Sequence, residues 1–152
     1  MSYGNPKIIA ISSPFHGGLE AWALLSLRLI WGTTLVFYGL PMLKNPLHWM
    51  EMGDSPAFPG PLQAIGALTI FGGGIAIIAG FLTPLAAFGL TCAMAVALSI
   101  HLANGVPFMK PPDAPGVSYE VSLVYLGIAI LFMFVGPGSL SLDSLLFTYF
   151  FD

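Results

Sequence analysis

The chain has 152 residues and a mean hydropathy of +0.88. Only 7% of its residues are charged, against roughly 25% in an ordinary soluble domain, which excludes water as its main solvent. A net charge of −3 with four basic residues excludes the cationic patch that nucleic acid requires. We therefore expect an integral membrane protein in contact with membrane lipids, and we expect no nucleic acid partner.

Four apolar segments are each near the length of about 20 residues that crosses a bilayer. They are residues 21–43, 62–82, 85–103 and 119–135. The N-terminal residues lack the basic region and compact apolar core of a cleavable signal, so we expect the first segment to stay in the protein. Four crossings place both chain termini on one side of the membrane, here called face A, and the opposite side is face B. One domain, 1–152, is expected: an all-α integral membrane four-helix bundle.

The connections between the segments differ in length and in local structure. Thr83-Pro84 joins the second and third segments as a tight hairpin, with Thr83 as the cap of the next helix. On face B, Asn45-Pro46 suits either a short interfacial helix or an irregular loop with an aromatic anchor. Residues 141–150 have apolar positions at helical spacing, which predicts an amphipathic C-terminal helix at the membrane interface.

Small residues recur along the first three segments at helical spacings. They are Gly32 and Gly39; Gly66, Gly73 and Gly80; and Gly89, Ala93 and Ala97. Lipid supplies no hydrophobic drive between helices, so membrane bundles depend on close approach at small residues. We expect these rows to face the bundle interior.

Arg28 lies about 10 Å inside the first segment, measured along the helix from face A. A charge at such depth costs about 2.5–3.5 kcal/mol on the insertion scale, so it requires a partner or contact with lipid headgroups. Asp143, in the first turn of the C-terminal helix, is on the same face. We predict a structural Arg28–Asp143 ion pair, or capping of the end of the fourth helix by Arg28.

Face B collects a second set of polar residues at the level of the membrane boundary. Tyr38 and Lys44 end the first segment, His101 ends the third, and Glu120 begins the fourth. An imidazole, a carboxylate and a phenol suit a quinone headgroup, whose carbonyls need donors and whose reduction needs protons. They equally suit a boundary solvated by headgroups. Only His101 lies on a span, so neither a haem nor a metal site is expected.

Several motifs along the membrane part of the chain resemble those of the DoxX family, small bacterial membrane proteins with four helices. The first helix has Arg28-Leu29-Ile30-Trp31-Gly32, Phe37-Tyr38-Gly39 and Lys44, and the third has Met94 and His101. The central hairpin has Gly72-Gly73-Gly74 and Gly80-Phe81-Leu82-Thr83-Pro84-Leu85-Ala86-Ala87, and the last segment has Tyr119-Glu120 and Gly136-Pro137-Gly138-Ser139-Leu140-Ser141-Leu142-Asp143. The resemblance implies a multi-pass protein of the bacterial cytoplasmic membrane. It also implies an association with quinol oxidation and with the oxidation of sulfur compounds.

These features favour a non-catalytic accessory subunit of a quinone-linked electron-transfer complex, without a redox centre of its own. One alternative is a quinone-reactive oxidoreductase subunit, of the quinol oxidase or thiosulfate-quinone oxidoreductase type, with His101, Glu120 and Tyr38 as catalytic candidates. In both cases His101, Glu120 and Lys44 are candidate contacts to a quinone headgroup, and quinone or lipid is the expected ligand. A small-molecule membrane carrier is the third alternative, although the broken helices typical of transport sites are not evident.

Overall fold

A computed structural model of the protein describes residues 17–50, 58–111 and 116–151. All regular secondary structure in these residues is helical, which confirms the predicted all-α membrane bundle. The helices are α1 (Gly18–Lys44), α2 (Gly60–Ala79), α3 (Thr83–Ala103), α4 (Glu120–Val135) and α5 (Leu142–Phe151). The α2–α3 turn comes a few residues earlier than the sequence predicts, because Gly80 ends α2 in the left-handed conformation with φ +64°.

Three of these helices, α1, α2 and α3, are long and apolar enough to cross a membrane. The fourth predicted span is α4, an apolar helix of 16 residues. At about 1.5 Å per residue it is roughly 24 Å long, somewhat short of the ~30 Å hydrocarbon core. It packs beside α3 in the bundle, and its crossing of the membrane stays a prediction.

Helices α1 and α2 approach each other closely because glycines meet at their contact. A Cβ atom on Gly32 would lie 2.9 Å from the carbonyl oxygen of Gly74, and one on Gly74 would lie 2.9 Å from that of Gly32. Gly39 packs in the same way against the backbone of Phe71. In α2 it is thus Gly74 that meets α1, whereas the predicted Gly73 packs against Leu90 of α3.

Large aromatic side chains fill the seam between α1 and α4, so these two helices lie further apart than α1 and α2 do. Trp31 stacks on Phe132 with ring centroids 5.8 Å apart and meets Tyr125 edge-on at 6.2 Å. Trp31 and Phe132 belong to the buried core, together with Leu35, Ile70, Ile77, Ala87, Leu90, Met94 and Ala129. Toward face A these aromatic side chains fill the seam. Toward face B the seam opens into a large cavity.

The N-terminus of α3 is capped by a residue from α5 and not by Thr83 as the sequence suggested. The two carboxylate oxygens of Asp143 accept hydrogen bonds from the amides of Leu82, at 2.7 Å, and of Thr83, at 2.9 Å. The Thr83 hydroxyl is buried and makes no hydrogen bond among the described residues. The early amides of a helix need an acceptor, and here α5 supplies it from 60 residues further along the chain.

The segment after α1 forms turns from Asn45 through Met50, so over these described residues the structure matches the second predicted alternative, an irregular loop, and not a short helix. Its aromatic residue is anchored to protein, since the indole nitrogen of Trp49 donates to the carbonyl oxygen of Gln63 at 2.8 Å. At the other end of the chain, the hydroxyl of Ser141 caps α5 by accepting from the amide of Ser144 at 3.1 Å. Most of the described apolar side chains of α5 are exposed, including Tyr149 at 82%, which suits a helix at the membrane interface.

Candidate functional site

A cavity of about 1040 Å³ lies at face B, between α1 to α4 and the ends of their connecting segments. Most of its wall is apolar and comes from residues such as Leu35, Ile70 and Met94. A smaller group of polar side chains also lines it: Tyr38, His48, His101, Lys110, Ser122 and Tyr125. A large apolar cavity with a few converging polar groups is typical of a small-molecule site.

Two of the candidates predicted from the sequence, Tyr38 and His101, line this cavity. Glu120 and Lys44 are not among its lining residues, although both lie at the same level of the bundle. The reason is rotation about the helix axis. Ser122 of α4 is turned toward His101 of α3, and a residue two positions away on the same helix, such as Glu120, points to another side.

His101 contacts Ser122, which was not among the residues predicted from the sequence. The Oγ of Ser122 lies 3.3 Å from Nδ1 of His101, and Ser122 is buried, with 8% of its surface exposed. A serine in the first turn of an apolar helix gives little signal, because hydroxyls at such positions commonly bond only to their own backbone.

Tyr38 is positioned by the aromatic ring of Tyr125 across the seam between α1 and α4. The two rings meet edge-on, with centroids 6.2 Å apart and planes at 85°. Tyr125 in turn contacts Trp31 in the same manner, so an aromatic row runs from the cavity into the core. The row forms the wall of the cavity at the seam between α1 and α4.

Gln63 joins the loop side of the cavity to α2, and it was not among the residues predicted from the sequence. Its side chain is only 1% exposed; it donates to the carbonyl oxygen of Phe58 at 2.6 Å and accepts from the amide of Met50 at 2.9 Å. The sequence did contain a signal for Gln63: it is a polar side chain in an apolar segment, and a buried polar side chain needs hydrogen-bond partners. These bonds hold Trp49 and Met50, both of which line the cavity.

At face A, the guanidinium of Arg28 is buried and bonds to the backbone that follows α4. Its two terminal nitrogens donate to the carbonyl oxygens of Pro137, at 2.9 Å, and Leu140, at 2.7 Å. The hydrogen bonds of Asp143 go instead to the start of α3, as described above. Arg28 and Asp143 therefore belong to one cluster, in which each charge is bonded to backbone groups at a helix end.

Gly80 is the point where the parts of this cluster meet. Its carbonyl oxygen accepts from the amide of Asp143 at 2.9 Å. A Cβ atom at Gly80 would collide with the guanidinium of Arg28 and would lie 2.6 Å from the Cβ of Ser141. The hydrogen bonds of this cluster connect α1, the α2–α3 turn and α5, so its role is structural.

Within the described part of the chain, no three His, Cys, Asp or Glu side chains are grouped so as to hold a metal ion. His101 and His48 both line the large cavity, but they do so among donors and apolar groups.

The helical bundle and its apolar surface define a membrane protein. The DoxX family model matches residues 23–103, a little over half of the chain, and the protein belongs to this family. The matched part includes Arg28, Tyr38 and His101, together with the whole of α2 and α3. No curated protein matches the chain, and no solved structure matches it.

Proposed function

We propose that this protein is a quinone-binding membrane subunit of a bacterial electron-transfer complex and that the face B cavity takes the quinone headgroup. The cavity itself carries the proposal: it is about 1040 Å³ in volume, mostly apolar, and lined also by several side chains that can donate hydrogen bonds. Small-molecule sites in proteins are typically about 300–1,000 Å³.

The side chains present fit a quinone. Its carbonyl oxygens accept hydrogen bonds, and Tyr38, His101 and Lys110 offer donors on the cavity wall. Its isoprenoid tail is apolar, as are Leu35, Ile70 and the surrounding lipid. When bound, the quinone supplies the two-electron chemistry, while the residues of this chain bind and orient it.

The role of a subunit is supported by the composition of the chain and by its family. With 7% charged residues and three helices long enough to span a membrane, the chain offers little surface to a water-soluble substrate. The resemblance described above associates the family with quinol oxidation. We therefore propose that the electron donor binds to a neighbouring subunit and that this protein provides quinone or lipid contacts in the cytoplasmic membrane.

The binding experiment uses purified protein in mild detergent and titrates it with a decyl-tailed benzoquinone. Binding is followed by quenching of tryptophan fluorescence, since Trp49 lines the cavity, and is verified by equilibrium dialysis. We expect His101→Ala to weaken binding about three- to tenfold, which corresponds to the loss of one hydrogen bond. Glu120→Gln is the matched control and should bind as the wild type does.

Two results would contradict the proposal. One is a wild-type protein that binds no quinone in either assay, and the other is equal binding by the wild type and His101→Ala. The subunit role is checked separately by mild-detergent purification from the native membrane and mass spectrometry of proteins that accompany the chain. If the isolated chain oxidises quinol by itself, the oxidoreductase alternative replaces the accessory role.

A further inference from the structure

The hydroxyl of Ser122 differs from those of five other serines and threonines on the helices. Each of these five donates to the carbonyl oxygen four residues earlier in its own helix: Ser26, Thr34, Thr91, Ser99 and Thr148. Ser122 instead meets Nδ1 of His101 on the neighbouring helix α3, at 3.3 Å. This contact is its one hydrogen bond within the described residues, and both side chains line the face B cavity.

The contact favours one of the two positions for the proton of a neutral imidazole. A neutral histidine has one donor nitrogen and one acceptor nitrogen, and a serine hydroxyl has a proton that must be donated if the group is buried. With Ser122 donating to Nδ1, the hydroxyl proton is satisfied and Nε2 carries the N–H. With the opposite arrangement, the hydroxyl of a residue that is 8% exposed would be left without an acceptor among the described groups.

We infer that Ser122 is a positioning residue of the cavity: it fixes His101 in the tautomer with the proton on Nε2, which donates to a carbonyl oxygen of the bound headgroup. Because Nδ1 faces Ser122, Nε2 is the ring nitrogen left for a ligand. The inference rests on the proposed function for the identity of the ligand, a quinone, but the tautomer belongs to the chain alone. At 3.3 Å the contact is long for an O–H···N bond, and such bonds often tighten when a ligand binds.

The tautomer is measured by nitrogen NMR of protein labelled with ¹⁵N-histidine, with and without a decyl-tailed benzoquinone. The spectrum distinguishes the two tautomers, and His101→Ala identifies the resonances of residue 101. We expect the wild type to show the proton on Nε2, Ser122→Ala to show a mixture of both tautomers, and Ser122→Thr, which keeps the hydroxyl, to restore the wild-type signal. Ser99→Ala removes a hydroxyl of α3 that bonds to its own helix and should leave the tautomer unchanged.

Quinone binding by the same variants separates this inference from the proposed function. We expect Ser122→Ala to weaken binding about three- to tenfold and Ser122→Thr to restore it, again the effect of one hydrogen bond. If the wild type has its proton on Nδ1, the inference is wrong even when quinone binds; this result requires no Ser122 variant to fold, only the His101→Ala spectrum that identifies the resonances. It is also wrong if Ser122→Ala keeps the wild-type tautomer. If the wild type shows the Nε2 proton but binds no quinone, the tautomer assignment stands and the proposed ligand is wrong.

Discussion

Arg28 shows how a single buried charge is accommodated in an apolar helix. Its side chain is 1% exposed, and its two terminal nitrogens bond to the carbonyl oxygens of Pro137 and Leu140. We expect Arg28→Leu to destabilise the protein by about 3 kcal/mol, because a buried and a partly buried acceptor lose their donors and the charge of Asp143 loses its counterpart. The measurement is the midpoint of thermal unfolding in detergent.

Lys44 provides the control for this prediction, since it is an exposed cation at the other end of the same helix. Lys44→Leu should change the unfolding midpoint little. Arg28→Lys should fall between the two, because a lysine cannot present two fixed donors to two carbonyl oxygens. Equal midpoints for Arg28→Leu and Lys44→Leu would show that the cluster contributes no stability.

At the scale of the elements, α5 is joined to the hairpin of α2 and α3 by the carboxylate of Asp143. We expect Asp143→Ala to free the amides of Leu82 and Thr83 and to cost about 1–2 kcal/mol, as the loss of a helix cap does. Hydrogen exchange followed by mass spectrometry should show faster exchange over residues 82–86. The amides at the start of α2 should be unaffected.

The matched control for this substitution is Ser144→Ala, the next residue on α5. Within the described residues the hydroxyl of Ser144 makes no hydrogen bond to α3, so hydrogen exchange at residues 82–86 should remain as in the wild type. Unchanged exchange in Asp143→Ala as well would mean that other groups or water cap α3.

For the whole molecule, the open prediction is that α4 crosses the membrane and brings both ends of the bundle to face A. Single cysteines are introduced in a Cys92→Ser background at Gly17, Asn104 and Thr148, and intact cells are treated with a membrane-impermeant maleimide. We expect Gly17→Cys and Thr148→Cys to react from the same side and Asn104→Cys to react from the opposite side. Labelling of Gly17→Cys and Thr148→Cys from opposite sides would show that α4 does not cross.

The sequence by itself determined the solvent of this protein, its helical class, and the level of most polar residues in the bundle. Composition determines the solvent because so few charges cannot cover a water-exposed surface. The order of the segments along the chain determines how near each residue lies to either face of the bundle. Arg28 and Asp143 therefore had to be near face A, and Tyr38 and His101 near face B. The C-terminal helix over about residues 141–150 was also predicted, because its apolar residues recur at helical spacing.

Only the tertiary structure decided which of these residues meet, because level does not determine rotation about a helix axis. Ser122 and Glu120 are two positions apart on α4. Ser122 bonds to His101, whereas Glu120 does not line the cavity. In the same way, the contact of α2 with α1 is made by Gly74, which was not among the predicted glycines, and Asp143 caps α3 where Thr83 was expected. Each outcome depends on contacts between helices distant in sequence, and such contacts are set by the packing of whole helices against one another.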